Sequence, residues 1–350
     1  MEKYWSRRAR EITPYVAGEQ PRDRNIIKLN TNENPYPPSE KVMEAIAAVD
    51  GASVRRYPDP GCEGLRGLIA KRHGVTPDMV FVGNGSDDVL AIAFMSYFDG
   101  GLVMPDITYS FYPVWAELFG IDFERIPTGE DFSIDPADYE GRRNIVLANP
   151  NAPTSVALPL TDIGRIAKSA SGTFIVDEAY AEFGAESAVP LIESMENVVV
   201  VRTMSKSHAL AGLRVGYAIG RAEMIEAMNR VRDSFNSYPV DAVAQRAAAA
   251  AIADEAYTAH TIALVKATRA RLTERLAAMG FRVLPSSANF VFCTHDAMNA
   301  ADIMARLREK GIIVRRFGGE RIKNWLRITV GTDAETDALL DGLGKIIPKG

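Results

Sequence analysis

At 350 residues, 47% of them apolar and 24% charged, the chain can bury one large and one smaller hydrophobic core and has the composition of a globular protein. A net charge of −5, with 40 basic residues spread along the chain, argues against nucleic acid as the main partner. No window approaches the ~18 uninterrupted apolar residues of a membrane span, the opening MEKYWSRRAREI lacks the apolar region of a signal peptide, and Cys62 and Cys293 lack metal-ligand spacing, so a cytoplasmic protein without a bound metal is expected.

Residues 1–38 carry too little apolar mass to fold alone and are expected to form an arm packed against a small C-terminal domain. Helical periodicity follows at 40–49 and 63–72. Short apolar runs then predict strands at 79–82, 102–104, 123–126, 144–148, 173–176, 198–202 and 215–219, with helices between them at 87–98, 111–119, 161–170 and 188–194. This alternation predicts an α/β domain whose mostly parallel sheet is covered on both faces and binds ligand at the carboxyl ends of its strands. The Ala-rich stretch from Ala222 to about Met279 reads as two or three helices, broken near Tyr238-Pro239 and Ala253-Asp254. Beyond it, strands at 281–283, 289–293, 312–314 and 326–330 and helices at 300–310 and 334–347 predict a smaller α+β domain. The expected division is an arm at 1–38, a large domain at 39–245 and a small domain at 246–350.

Five sites at strand ends are consistent with one pocket for pyridoxal phosphate (PLP). Lys206 follows the apolar run 198–201, with Thr203 and Ser205 just upstream and Arg214 eight positions on. A lysine amine forms Schiff bases with aldehydes, while hydroxyls and a guanidinium suit a phosphate. The turn Gly83-Asn84-Gly85-Ser86-Asp87 joins a strand to a helix, whose first N–H groups can meet a phosphate. It is not a dinucleotide fingerprint, because Asp88 stands where the third glycine belongs. Tyr109 follows a strand and can lay its ring on a pyridine face. In Asn149-Pro150-Asn151, proline fixes the backbone so that an amide can face the cofactor's phenolic oxygen. Asp177 ends an apolar strand, where a carboxylate needs either a cation, such as a protonated pyridine nitrogen, or service as a helix N-cap. Tyr180, three residues on, is within reach of the phenolic oxygen.

These motifs resemble the fold type I PLP-dependent aminotransferases, and within them the histidinol-phosphate aminotransferase subfamily. The resemblance runs nearly end to end through Thr13-Pro14-Tyr15, Asn30-Thr31-Asn32-Glu33-Asn34-Pro35, Arg56-Tyr57-Pro58-Asp59, the glycine turn, 177–180, 206–214 and Trp325-Leu326-Arg327. It implies that Lys206 holds PLP and shuttles the substrate's α-proton, that Asp177 pairs with the pyridine nitrogen, and that Tyr180 and Tyr109 contact the ring system. It implies a phosphate cradle of Gly85, Ser86, Asp87, Thr203, Ser205 and Arg214, completed by Tyr57 from the other subunit of a homodimer with shared active sites. Arg327, Arg315, Tyr15 and Asn34 are implied on the substrate side. The pattern departs where the usual Asn-Pro-Thr-Gly reads Ala152-Pro153-Thr154-Ser155, which leaves Asn151 and Asn149 both open as the phenolic-oxygen contact. His208 stands where an aromatic is common and reads as a packing or hydrogen-bonding residue.

The implied reaction converts histidinol phosphate and 2-oxoglutarate into imidazole-acetol phosphate and glutamate, a step of histidine biosynthesis. Threonine-phosphate decarboxylase and a broader aromatic amino-acid aminotransferase are the alternatives that share cofactor and fold. A PLP-dependent regulator with a dead catalytic domain is disfavoured by the presence of Lys206.

Overall fold

The structure is a computed structural model, and it describes residues 2–23 and 25–347. Its described strands are β1 (Ile27–Leu29), β2 (Val80–Gly83), β3 (Leu102–Pro105), β4 (Phe123–Ile126), β5 (Asn144–Ala148), β6 (Phe174–Asp177), β7 (Val198–Thr203), β8 (Gly216–Ile219), β9 (Phe281–Val283), β10 (Phe290–His295), β11 (Ile312–Arg316) and β12 (Leu326–Thr329).

Seven of them form one sheet in the order β2-β8-β7-β6-β5-β3-β4. Its pairings are parallel except those of β8, which runs antiparallel to β2 and β7. The strands β5, β6 and β7 are buried at every position, because helices cover both faces. This is why they read as unbroken apolar runs rather than as alternating ones. One face packs Ile163, Ile166 and Ala247 against Val176 and Val200, and the other packs Phe94, Tyr112 and Trp115 against Ile175 and Val199.

The other five strands form a second sheet, β1-β11-β12-β10-β9, antiparallel except for the β1–β11 pair. Its core gathers Leu29, Val291, Ile303, Leu307, Ile328 and Leu339. The strand β1 lies within the segment expected to be an arm. It is three residues long with a lysine at its centre, too short to show periodicity, and its register with Ile312–Val314 defines it.

Two further expectations are corrected. The helix predicted over 188–194 is a five-residue 3-10 turn, Val189–Glu193. Pro190 has no N–H, and Leu191 and Ser194 bond back three residues rather than four. The boundary expected between 245 and 246 falls inside the helix Ala242–Ala253, whose Ala244, Ala248 and Ile252 belong to the core of the seven-stranded sheet. Among the described residues no helix is long and apolar enough to cross a membrane.

Candidate active site

The carboxyl ends of the parallel strands bring the chemistry-bearing side chains together. Asp177 closes β6, and Lys206 comes three residues after β7. Ser86 and Asp87 open the helix Gly85–Tyr97 that follows β2, and Tyr109 follows β3. With Tyr180, Thr203, Ser205, Arg214, Tyr15 and Arg327, they line one cavity of about 290 Å³. A further part of the wall comes from the segment after β1, through Thr31, Asn32 and Glu33.

Lys206 Nζ donates to the Thr31 carbonyl at 3.1 Å and lies 5.9 Å from the centre of the Tyr180 ring. Burial lowers its ammonium to about 8, helped by Arg327 and Arg214 and opposed by Glu33 and Asp87. The amine therefore loses its proton far more readily near neutral pH than a free lysine does.

Asp177 is only 5% exposed. Its carboxylate accepts from the Tyr112 hydroxyl at 2.7 Å and from the Ala179 N–H at 3.1 Å. Burial pushes it up to about 6 against those two donors. Among the described residues no lysine or arginine pairs with it. A buried carboxylate held only by neutral donors is costly, and a ligand bearing a protonated ring nitrogen relieves that cost.

At the phosphate end, the first-turn N–H groups of Ser86 and Asp87 have no intrahelical acceptor. The Asp87 carboxylate is engaged by the Tyr109 hydroxyl at 2.8 Å and by Arg214 Nη2 at 3.2 Å, so it does not oppose an anion unscreened. Gly85 lies beneath the cradle rather than on the cavity wall. Its φ of +83° needs glycine, and a Cβ there would come 2.6 Å from Arg214 Nη2. A Cβ on Gly216 would collide with the backbone of Gly85 and Ser86. Gly216→Ala is therefore expected to cost about 1–3 kcal/mol of stability by overpacking and to weaken retention of a phosphorylated cofactor. Urea denaturation and cofactor titration of the variant check both effects, and unchanged values in both would show that the turn has slack.

An adjoining cavity of about 350 Å³ shares Tyr15, Thr31, Tyr109, Ala152 and Arg327 and adds Arg125 and Arg315. Arg315 and Arg327 are register partners across β11 and β12. Like charges directly opposite each other on antiparallel strands repel, and desolvation of the half-buried Arg327 lowers its pKa. Its Nη2 donates to the Asn30 carbonyl at 2.9 Å, whereas its buried Nε has no partner. This arrangement favours an anionic ligand between the two guanidinium groups.

Four expected residues lie elsewhere. Asn151 is 1% exposed, and its amide is engaged by Ile107, Thr108 and Thr154, so it does not reach the cavity. Asn149 is likewise occupied, by both backbone groups of Leu158. Both amides are thus spent within the protein, and position 152 presents only an alanine methyl to the cavity. Asn34 does not line the substrate side. Its Nδ2 donates to the carbonyls of Lys206 and Ser207, which braces the loop that carries the lysine. Tyr57 is 82% exposed and stacks on Tyr238 at 4.6 Å, outside either cavity. His208 is buried behind the site, with Nδ1 on Ser207 Oγ at 2.9 Å.

Sequence reasoning missed Tyr112, which holds Asp177, and also Thr31, Asn32 and Arg125. Tyr112 sits on the buried face of the helix Phe111–Phe119, where it reads as an ordinary core aromatic. No group of residues suited to a metal ion occurs among the described residues. A nucleophilic lysine, a buried acid lacking a cation and a phosphate-ready helix start in one cavity fit PLP.

The chain belongs to the class I and II aminotransferases, whose family model matches residues 24–343. It is 51% identical to a histidinol-phosphate aminotransferase 2 of Dechloromonas aromatica, over 99% of both chains. It is 52% identical to the histidinol-phosphate aminotransferase of Gluconacetobacter diazotrophicus, over 100% of this chain and 99% of the other. Among solved structures, the histidinol-phosphate aminotransferase of Sinorhizobium meliloti in complex with pyridoxal-5'-phosphate matches with a TM-score of 0.83 at 27% identity. That match covers 92% of this chain and 90% of that one.

Proposed function

We propose that this chain is a PLP-dependent aminotransferase that exchanges the amino group of histidinol phosphate with 2-oxoglutarate, in histidine biosynthesis. One observation carries the choice of substrate. Relatives named for that activity are half identical to the chain from end to end, so the whole cavity lining falls within the match. Bound PLP supplies an electrophilic aldehyde carbon and a conjugated ring that takes up the electron pair left at the substrate's α-carbon.

The chain's own residues supply the rest. In this reading Lys206 Nζ is the nucleophile that tethers the cofactor. Freed from the cofactor, the same amine would be the base that takes the substrate's α-proton and delivers it to the carbon that had been the cofactor's aldehyde. Its lowered pKa gives it a neutral fraction for that work. Asp177, oriented by Tyr112, keeps a proton on the cofactor's ring nitrogen, while Tyr180 donates to the phenolic oxygen and Tyr109 covers one ring face. The N–H groups of Ser86 and Asp87, together with Thr203, Ser205 and Arg214, hold the phosphate. Arg327 and Arg315 take the substrate's anion, and Tyr15 closes the same side.

A homodimer with shared active sites, located in the cytoplasm, is part of the proposal. The exposed Tyr57–Tyr238 stack supports it, because large exposed aromatic surface is characteristic of interfaces. Tyr57 would there reach the phosphate held by the other subunit.

A single-turnover titration of the PLP-loaded protein tests the reading by following its visible absorbance. Rapid conversion to the pyridoxamine form by both histidinol phosphate and glutamate is expected. Release of carbon dioxide from threonine phosphate, or preference for phenylalanine, would reassign the substrate while keeping the family. Arg327→Ala is expected to raise KM for anionic substrates by about 10- to 150-fold, the equivalent of about 1.5–3 kcal/mol for hydrogen bonds to a charged group. The variant should be no less thermostable, since a like-charge neighbour of Arg315 has gone. An unchanged KM for every anionic substrate would remove Arg327 from the binding site.

A further inference from the structure

Position 152, where the related pattern has asparagine, carries alanine, so the cavity lacks an amide at that point. Another amide stands nearby. Asn32 Nδ2 donates to Tyr180 Oη at 3.0 Å, and Asn32 is 1% exposed.

The orientation of that amide is determined by its neighbours. The Thr329 hydroxyl oxygen accepts from the Asn32 backbone N–H at 3.0 Å, which leaves the hydroxyl proton free to be donated. It goes to Asn32 Oδ1 at 3.1 Å. With Oδ1 engaged by a donor, the NH₂ end must face Tyr180. The residue is pinned further by Asn289 Nδ2, which donates to the Asn32 carbonyl at 3.0 Å. Its φ of +58° lies in the left-handed region, which asparagine tolerates better than most side chains.

The consequence for Tyr180 concerns direction. A phenol has one proton to give. Because Oη accepts from Asn32, that proton is not spent there, and no acceptor among the described residues takes it. The hydroxyl therefore keeps its proton for a ligand in the cavity it lines.

We infer that Asn32 is a positioning residue, whose side-chain amide, locked by Thr329, fixes the Tyr180 phenol as a donor to the cofactor's phenolic oxygen. This rests on the proposed role of Tyr180, and it assigns the amide function near the phenol to the segment after β1 rather than to residues 149–152. Asn32 acts through Tyr180 and touches neither substrate nor reacting atoms in this scheme.

The test is a pH titration of the visible band of the PLP-loaded protein, for the wild type, Asn32→Asp, Tyr180→Phe and the double variant. Aspartate keeps the shape, the left-handed backbone and the Thr329 bond, but it cannot donate to Oη. Instead it draws the phenol proton toward itself. A donor at the phenolic oxygen withdraws negative charge and so loosens the neighbouring imine proton. Losing it should raise the titration midpoint by about one unit in Asn32→Asp and in Tyr180→Phe. The double variant should move no further than Tyr180→Phe alone, because both changes act on one hydrogen bond. In Asn32→Asp, kcat should fall about tenfold while KM for the amine stays within about twofold.

An unmoved midpoint in Asn32→Asp, or additive shifts in the double variant, overturns the inference. Should Asn32→Asp not fold, Thr329→Val frees the amide to turn and should reproduce the shift, while Thr329→Ser should restore the wild-type midpoint. A shift absent in Thr329→Val, or retained in Thr329→Ser, likewise overturns it. Failure of the underlying reading looks different: a wild type with no Lys206-dependent visible band defeats the aminotransferase assignment and the inference together.

Discussion

Replacing Lys206 with alanine is expected to abolish amino-group transfer while leaving the chain folded. The side chain combines two roles in the proposed reaction, nucleophile and proton carrier, and the second alone is commonly worth about 10²–10⁴ in rate. Nothing nearby can substitute. Lys28, at the centre of β1, is committed to Glu33 at 2.5 Å, and a guanidinium is a poor proton carrier. The fold should tolerate the change, because among the described residues the only side-chain hydrogen bond lost is the one to the Thr31 carbonyl, and desolvation of the ammonium is relieved. Stopped-flow absorbance and thermal melts of the same preparation check both halves. A small primary amine added to the variant should restore part of the rate by occupying the vacated volume. Turnover at the wild-type level in a well-folded Lys206→Ala protein would sink the mechanism.

Asp177→Asn should separate stability from catalysis, with opposite signs. In the protein without PLP, burial holds the Asp177 carboxyl at about 6, above its ordinary 3.8. A carboxyl whose folded pKa is raised binds its proton more tightly when folded. Between those two values rising pH therefore erodes stability, and above about 6 the full penalty of about 3 kcal/mol applies. Below 3.8 the group is protonated in both states and the penalty vanishes. The asparagine variant, uncharged throughout, should melt higher than the wild type at pH 8 and match it near pH 4. Loaded with PLP, the order reverses in function. Asparagine leaves the ring nitrogen without an anion, and breaking one side of a buried charged pair costs about 3–5 kcal/mol, or roughly 10²–10⁴ in kcat. Equal melting curves at pH 8, or a wild-type kcat, would each remove Asp177 from the role given to it.

How far these residues could be read from the sequence depended on how local their cause is. Asp177, Lys206 and the 83–87 turn each follow an unbroken apolar run, and a polar or glycine residue at the end of a parallel strand is visible without tertiary knowledge. Asn151 and Asn34 misled for the opposite reason. An asparagine in a loop looks available, but Asn151 is consumed by Ile107 and Thr154, while Asn34 ties down the backbone of Lys206, 172 residues away. Tyr112 and Asn32 gave no local sign, because their partners Asp177, Tyr180 and Thr329 are brought to them only by sheet order. The strand β1 escaped notice on the same grounds, since a three-residue strand is recognisable only beside its partner.

The strand β12 carries both Arg327 and, two residues on, Thr329, so the two project from one face of the same ribbon. One meets the proposed substrate's anion, and the other holds the amide that sets the phenol. A slip or tilt of that ribbon that adapted the site to a longer or shorter substrate would also disturb the cofactor's electronic setting. Diversification of substrate preference on this scaffold should therefore spare the ribbon. It should collect instead on the lining of the outer cavity away from that ribbon, at Arg125 and at Phe317, Gly318 and Gly319, where exchange leaves the chemistry of the ring untouched.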